Sequence, residues 1–313
     1  MDAFVQSLQA VGVPFAIGML GFWLMSRHDV PTDVLMILSA LSLEIALPCL
    51  VFSQMLLQFD PVTMPNWWML PIAWAVFTLG LGAFTLAAMR LSRKGTRREF
   101  AATLFYQNAT FVPLIVVAEL YGRDSTVLLY LLIFTMFYAA MLFGTFQWFF
   151  GMGQEKPRLA RLLHPVLIAT ALAIGIRLAG GHVLFPRFAV SAMEMVGSMA
   201  VPLLMLVVGG SVYVDWRQQS GLQMREVAKF VLIKNLVLPG LALGILAILR
   251  PERELALIIL LQSAVPPVTA VPVLVQRAGG NSSIASQFLV GSFLFSLVSL
   301  PLMLALFARL SAG

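Results

Sequence analysis

Residues 260–276 read LLQSAVPPVTAVPVLVQ. The stretch is apolar enough to sit inside a membrane, yet it holds Pro266, Pro267 and Pro272. A proline removes a backbone donor and its ring clashes with the preceding turn, at a cost of about 3 kcal/mol in a helix interior. In hydrocarbon a carbonyl freed in this way finds no water. A helix broken there marks a place where polar backbone is wanted.

The rest of the chain supplies the membrane context. Of its 313 residues, 60% are hydrophobic and 11% charged, whereas a soluble domain carries about 25% charge. A spanning helix needs about 20 mostly apolar residues. Windows of that size give ten candidate spans, beginning near residues 3, 33, 66, 99, 125, 162, 189, 227, 254 and 284. The expectation is an all-α polytopic membrane protein in which residues 1–313 form one unit. "MDAFVQSLQ" (1–9) carries one acid and no base, so the first apolar run reads as a spanning helix and not a cleavable leader.

The net charge of +6 does not point to nucleic acid, because no basic stretch is interleaved with aromatics. The basic residues lie in short loops between apolar runs. With the N-terminus outside, thirteen lysines and arginines fall in inside loops and six outside, with Lys234 inside a span. "RLSRKGTRR" (90–98) contributes most of the excess. The positive-inside rule then puts both termini outside a cell inner, or plasma, membrane. Cys49 is the single cysteine, which excludes an internal disulfide and a thiolate metal cluster.

The two halves of the chain resemble each other. "EIALPCLVF" (44–52) aligns with "SMAVPLLML" (198–206) at an offset of 154. "LFYQNATFVP" (104–113) aligns with "LLQSAVPPV" (260–268) at 155, placing Gln107 on Gln262 and Ala109 on Ala264. "YGRDS" (121–125) meets "GGNSS" (279–283) at 158, and Pro14 meets Pro165 at 151. Four matches in one order predict two five-helix repeats, residues 1–151 and 162–313. An odd number of spans per repeat inverts the second half, a recurrent construction of secondary transporters.

The broken stretch at 260–276 has a counterpart at 104–117, each in the fourth span of its repeat. Paired interruptions of this kind point to a midplane binding site, where half-helix ends expose N–H and carbonyl groups. The candidate substrate-binding residues are Gln107, Asn108, Thr110 and Pro113 at the first break. At the second they are Gln262, Ser263, Pro266, Pro267 and Thr269. Their amides and hydroxyls both donate and accept.

Glu44, Glu194 and Lys234 are ionisable groups within spans and candidates for coupling or for attracting an anion. All six aspartates read as terminal or loop residues. No H-E-x-x-H, G-x-S-x-G or Walker phosphate loop is present, so neither an enzyme nor a cofactor is expected. A coupling ion, sodium or proton, is left open, as is a sodium/proton antiporter-like exchanger on the same crossed-helix fold.

Several segments taken in order resemble the auxin efflux carrier family. "ALPCLVFSQM" (46–55) resembles its second-helix signature, and "NATFVPLIVV" (108–117) its first crossover. "HPVLIATALAIGI" (164–176) is similar to the Asn-Pro segment opening its sixth helix, with His164 in place of asparagine. "KNLVLP" (234–239) resembles its eighth helix, and "AVPPVTAVPVLVQRAGG" (264–280) its second crossover. The short "GMGQEKPRLAR" (151–161) is similar to that of prokaryotic-type permeases. The resemblance implies ten helices in a crossover fold related to the bile-acid/sodium symporters. Helices 1, 2, 6 and 7 would form a scaffold, and helices 3–5 and 8–10 a transport set with helices 4 and 9 crossing at the substrate. It further implies elevator-type transport of a small organic anion, a homodimer, and substrate carboxylate binding at Asn108 and its neighbours.

Overall fold

The computed structural model describes residues 3–27, 29–122, 125–150, 164–217 and 221–311. The short stretch 151–161, expected to be of prokaryotic-type length, lies outside the described residues. The first half contains α1 (Ala3–Ser26), α2 (Asp33–Gln58) and α3 (Met69–Ala88). It continues with α4 (Arg97–Phe105), α5 (Phe111–Tyr121), α6 (Thr126–Phe134) and α7 (Tyr138–Thr145). The second half contains α8 (Pro165–Leu178), α9 (Arg187–Arg217) and α10 (Met224–Leu249). It ends with α11 (Arg253–Ala264), α12 (Val271–Arg277) and α13 (Ser282–Leu310). Among the described residues six helices are long and apolar enough to cross a membrane: α1, α2, the α3 segment, α9, α10 and α13. The protein is an all-helical, polytopic membrane protein.

Proline shapes two of these helices without breaking them. α2 and α10 each contain a π-helical turn, Leu41–Ala46 and Ile233–Val237, and Pro48 and Pro239 follow two residues later. A proline cannot donate to the carbonyl four residues back, and its ring pushes that carbonyl aside. The ladder widens upstream, so that Leu47 N–H reaches Ser42 O and Leu238 N–H reaches Ile233 O. Pro14 lies inside α1 while Pro165 opens α8, so these two prolines hold different places in their helices.

α1 packs on α9 backbone to backbone. A Cβ on Gly209 would stand 1.7 Å from Gly18 O, and one on Gly21 would stand 2.1 Å from Leu206 O. Small residues permit this approach, and in lipid the resulting van der Waals contact is a main source of helix association. α2 packs against α8 and the first half of α9, where a Cβ on Gly197 would meet Leu50 Cα at 2.7 Å. α13 touches α4, α10, α11 and α12, and also packs along α1 and α9. Phe100, Phe230 and Phe288, one each from α4, α10 and α13, cluster with centroids 4.6–5.6 Å apart, Phe230 stacked on Phe288 and Phe100 edge-on to both.

A polar clamp closes that end of the molecule. The fully buried Glu226 accepts from Ser92 Oγ at 3.1 Å and from Arg93 N–H at 3.3 Å, and pairs with Lys229 Nζ at 2.8 Å. It ties the basic α3–α4 loop to the start of α10. One expectation from the sequence needs correction here. Asp215 is not a loop residue; it lies in the last turns of α9, buried, and accepts from Ser286 Oγ on α13 at 3.3 Å. The polar "DWRQQS" that it opens reads as a loop, but the helix extends to Arg217.

Candidate substrate crossing

The two proline-marked stretches meet. α4 ends at Phe105 and α5 starts at Phe111; α11 ends at Ala264 and α12 starts at Val271. Between these ends the chains run antiparallel and pair through an isolated bridge of Gln107 with Pro267. Asn108 N–H donates to Pro266 O at 2.8 Å, and Val268 N–H to Tyr106 O at 2.9 Å. The backbone groups left over by two broken helices thus satisfy one another, which in lipid they must do somewhere.

Side chains complete the arrangement. Gln107 Nε2 donates to Gln262 Oε1 at 3.3 Å, and Gln262 Nε2 donates to Ala109 O at 2.7 Å. The two glutamines matched across the halves are therefore partners in space. Asn108 Oδ1 accepts from Phe111 and Val112 N–H at 3.1 and 3.4 Å, capping the positive end of α5. That leaves Asn108 Nδ2 and Gln107 Oε1 buried without a hydrogen-bond partner. Leaving a buried polar atom unpaired costs about 1–3 kcal/mol, and such atoms in a site call for a ligand or water.

Lys234 comes to the same place. Its fully buried ammonium donates to Ser263 O at 3.2 Å, a carbonyl in the last turn of α11 and so at that helix's negative pole. No carboxylate pairs with it among the described residues. Ser263 Oγ turns back to Leu260 O at 2.7 Å, so this residue contributes its carbonyl and not its hydroxyl to Lys234. Pro113, Pro266 and Pro267 are buried at the crossing, while Thr110 and Thr269 lie half-buried at its edge.

Glu44 and Glu194 stand apart from this cluster. Both are exposed, Glu44 in the π turn of α2 and Glu194 in α9. Glu44 lies close enough for its charge to act on His164. His164 itself caps α8, its Nδ1 accepting from Val166 N–H at 3.3 Å, which is how a histidine serves where an asparagine would cap.

Some participants carry little sequence signal. α6 stops where Thr135 Oγ1 donates to Leu131 O at 2.8 Å, a back-bond that bends helices. α7 then starts with Tyr138, whose hydroxyl donates to Gln107 O. Asn235 binds Ser292 and Ser299 of α13, with Ser292 Oγ to Asn235 Oδ1 at 2.7 Å. An asparagine beside a lysine in the apolar run "KNLVLP" was a usable signal for that seam; nothing marked Tyr138.

A family model described as membrane transport protein matches residues 9–156 and 149–304, nearly the whole chain. The chain belongs to the auxin efflux carrier family. It is similar to Protein PIN-LIKES 1 of Arabidopsis thaliana, with 29% identity over 159 residues, 47% of this chain and 34% of that protein. The aligned region spans about a third of that relative's length. Members of the auxin efflux carrier family are membrane transporters and not enzymes, and the many apolar helices agree with a multi-pass protein.

Proposed function

We propose that the protein is a secondary transporter of a small organic anion, a carboxylate, held at the crossing of the two broken stretches. The observation that carries this reading is the buried, unpaired Asn108 Nδ2 beside the capped N-terminus of α5. A carboxylate would accept from that nitrogen, and a hydrogen bond to a charged group contributes about 1.5–3 kcal/mol. Lys234 adds the attraction. A lone ammonium in the protein interior is costly, and a bound carboxylate would offset that cost. The groups without a full set of partners here are one amide nitrogen, one amide oxygen and one ammonium, and the two donors, one of them charged, favour an anion over the cation of an exchanger.

In this reading the chain forms ten spans in two inverted repeats, with α4–α5 and α11–α12 as the broken fourth and ninth. The antiparallel pairing of residues 106–108 with 266–268 supports the inversion. α1, α2, α8 and α9 serve as the scaffold, through which two copies associate in the plasma membrane with both termini outside. The remaining helices form the transport set, joined by the phenylalanine cluster and the Glu226 clamp, and move as an elevator to carry the site from one face to the other.

The test is flux of labelled organic acids in proteoliposomes, with proton or sodium gradients imposed. Carboxylate uptake that an Asn108→Ala variant loses, while remaining folded, is the expected result. Carboxylate flux unchanged in that variant would move the binding site away from the crossing. Transport of a cation with no anion dependence would overturn the substrate class.

A further inference from the structure

A recess lies far from the crossing in sequence, where the end of α1, the α1–α2 connection and the end of α9 meet. It has a volume of about 290 Å³, and its polar lining includes Arg27, Thr32, Tyr213 and Arg217. It belongs to the same end of the molecule as the basic α3–α4 loop: Asp215 beside it meets Ser286 of α13, and the adjacent Gln287 accepts from Gln223 N–H, three residues before Glu226 and its Arg93 partner. Both guanidinium groups are exposed and both rest on aromatic rings. Arg27 Cζ lies 5.4 Å from the Trp23 ring centroid, and Arg217 Cζ lies 6.0 Å from that of Tyr213. Arg217 also donates to Tyr213 Oη at 3.4 Å. Neither guanidinium meets a carboxylate among the described residues. The cation–π contacts hold each guanidinium beside its ring and leave N–H groups to bind an oxyanion.

The surroundings identify the kind of anion. Met19, Leu20 and Trp23 are 72%, 60% and 57% exposed and follow one another at helical spacing on one face of α1. From Met19 to the end of α1 at Ser26 the helix rises about 10 Å, a strip of apolar surface with the Arg27 cation directly beyond it. Trp216, 55% exposed, stands beside Arg217 on α9. Tryptophan at this level marks the headgroup layer, and basic pockets between helices at the cytoplasmic side take anionic headgroups. A soluble anion would use the two arginines and leave the strip bare. An amphiphile with a phosphate head uses both.

We propose that this recess is a headgroup site for an anionic phospholipid, with Arg27 and Arg217 clamping the phosphate and an acyl chain lying along Met19, Leu20 and Trp23. Native mass spectrometry of the full chain in detergent tests it, with phosphatidylglycerol, phosphatidylcholine and inorganic phosphate as probes. Phosphatidylglycerol should bind about tenfold or more tightly than phosphatidylcholine, and the paired variant Arg27→Gln/Arg217→Gln should abolish that difference. Millimolar inorganic phosphate should leave the lipid bound. The pair Arg27→Lys/Arg217→Lys, which keeps charge and loses the planar fork, should fall between. Equal binding of the two lipids, or a preference that survives the glutamine pair, overturns the site. Displacement of the lipid by phosphate overturns the lipid assignment in favour of a soluble anion. Should the glutamine pair fail to fold, undiminished preference in the lysine pair overturns the clamp.

Discussion

Asn108 divides its side chain between two tasks: Oδ1 holds the start of α5 and Nδ2 faces the crossing without a partner. Asn108→Asp separates them, because a carboxylate still caps α5 but cannot donate while ionised. Thermal stability should stay within about 1 kcal/mol of the parent, since acidic and amide caps are nearly equivalent. Substrate binding should be lost; a variant with parental affinity would show that Nδ2 is not the donor. Lys234→Met replaces a buried ammonium with an apolar chain of similar length. Stability should hold or rise, as buried charges often yield to apolar residues at no loss. Anion uptake should fall; parental uptake in liposomes would remove Lys234 from the site. At this scale Gln107, Asn108 and Gln262 were legible because amides are rare in apolar runs and two of them shared one offset. Tyr138 was not, because a tyrosine in such a run reads as an interfacial residue.

Breaks made by proline could be read from sequence, whereas the break at Thr135 could not, since a threonine hydroxyl signals neither helix nor end. That the two broken stretches cross is implied only by the family resemblance, and their hydrogen-bonded pairing has no signal in the residues themselves. It depends on where four helix ends land, not on any local propensity. Pro266 O and Tyr106 O receive the bridge hydrogen bonds, so Pro266→Ala/Pro267→Ala invites α11 to continue at the expense of that bridge. Alanine is favoured over proline in a helix by about 3 kcal/mol per site. Flux should therefore fall further than thermal stability, and a double variant with normal flux would separate the break from transport. Glycines offer a contrast that sequence alone could not rank. Gly209→Ala drives a methyl into the Gly18 backbone and should destabilise by about 1–3 kcal/mol or more. Gly244→Ala, with open space around it, should be neutral or stabilising by about 0.5–1 kcal/mol. Melting temperatures of both in one detergent decide it.

For the molecule as a whole, composition and hydropathy were enough to place the chain in a membrane, because those are sums over many residues. Helix ends near buried polar groups, such as α9 running on to Asp215 and Arg217, were beyond them. The expected orientation can be checked on a Cys49→Ser background with single cysteines and an impermeant reagent. Residues 90–98 should label only after permeabilisation; labelling there in intact cells reverses the topology. In the division proposed above, α13 lies against α1 and α9 across the boundary between scaffold and moving set. Phe15 meets Phe293 there with centroids 4.7 Å apart, and Asp215 meets Ser286. Contacts between apolar side chains have no preferred direction, so sliding along such a face exchanges one set for another of similar depth. A hydrogen bond does have a direction and breaks outright when displaced. The boundary is built as a greased bearing with a peg near one rim, and resistance to movement should gather at the peg.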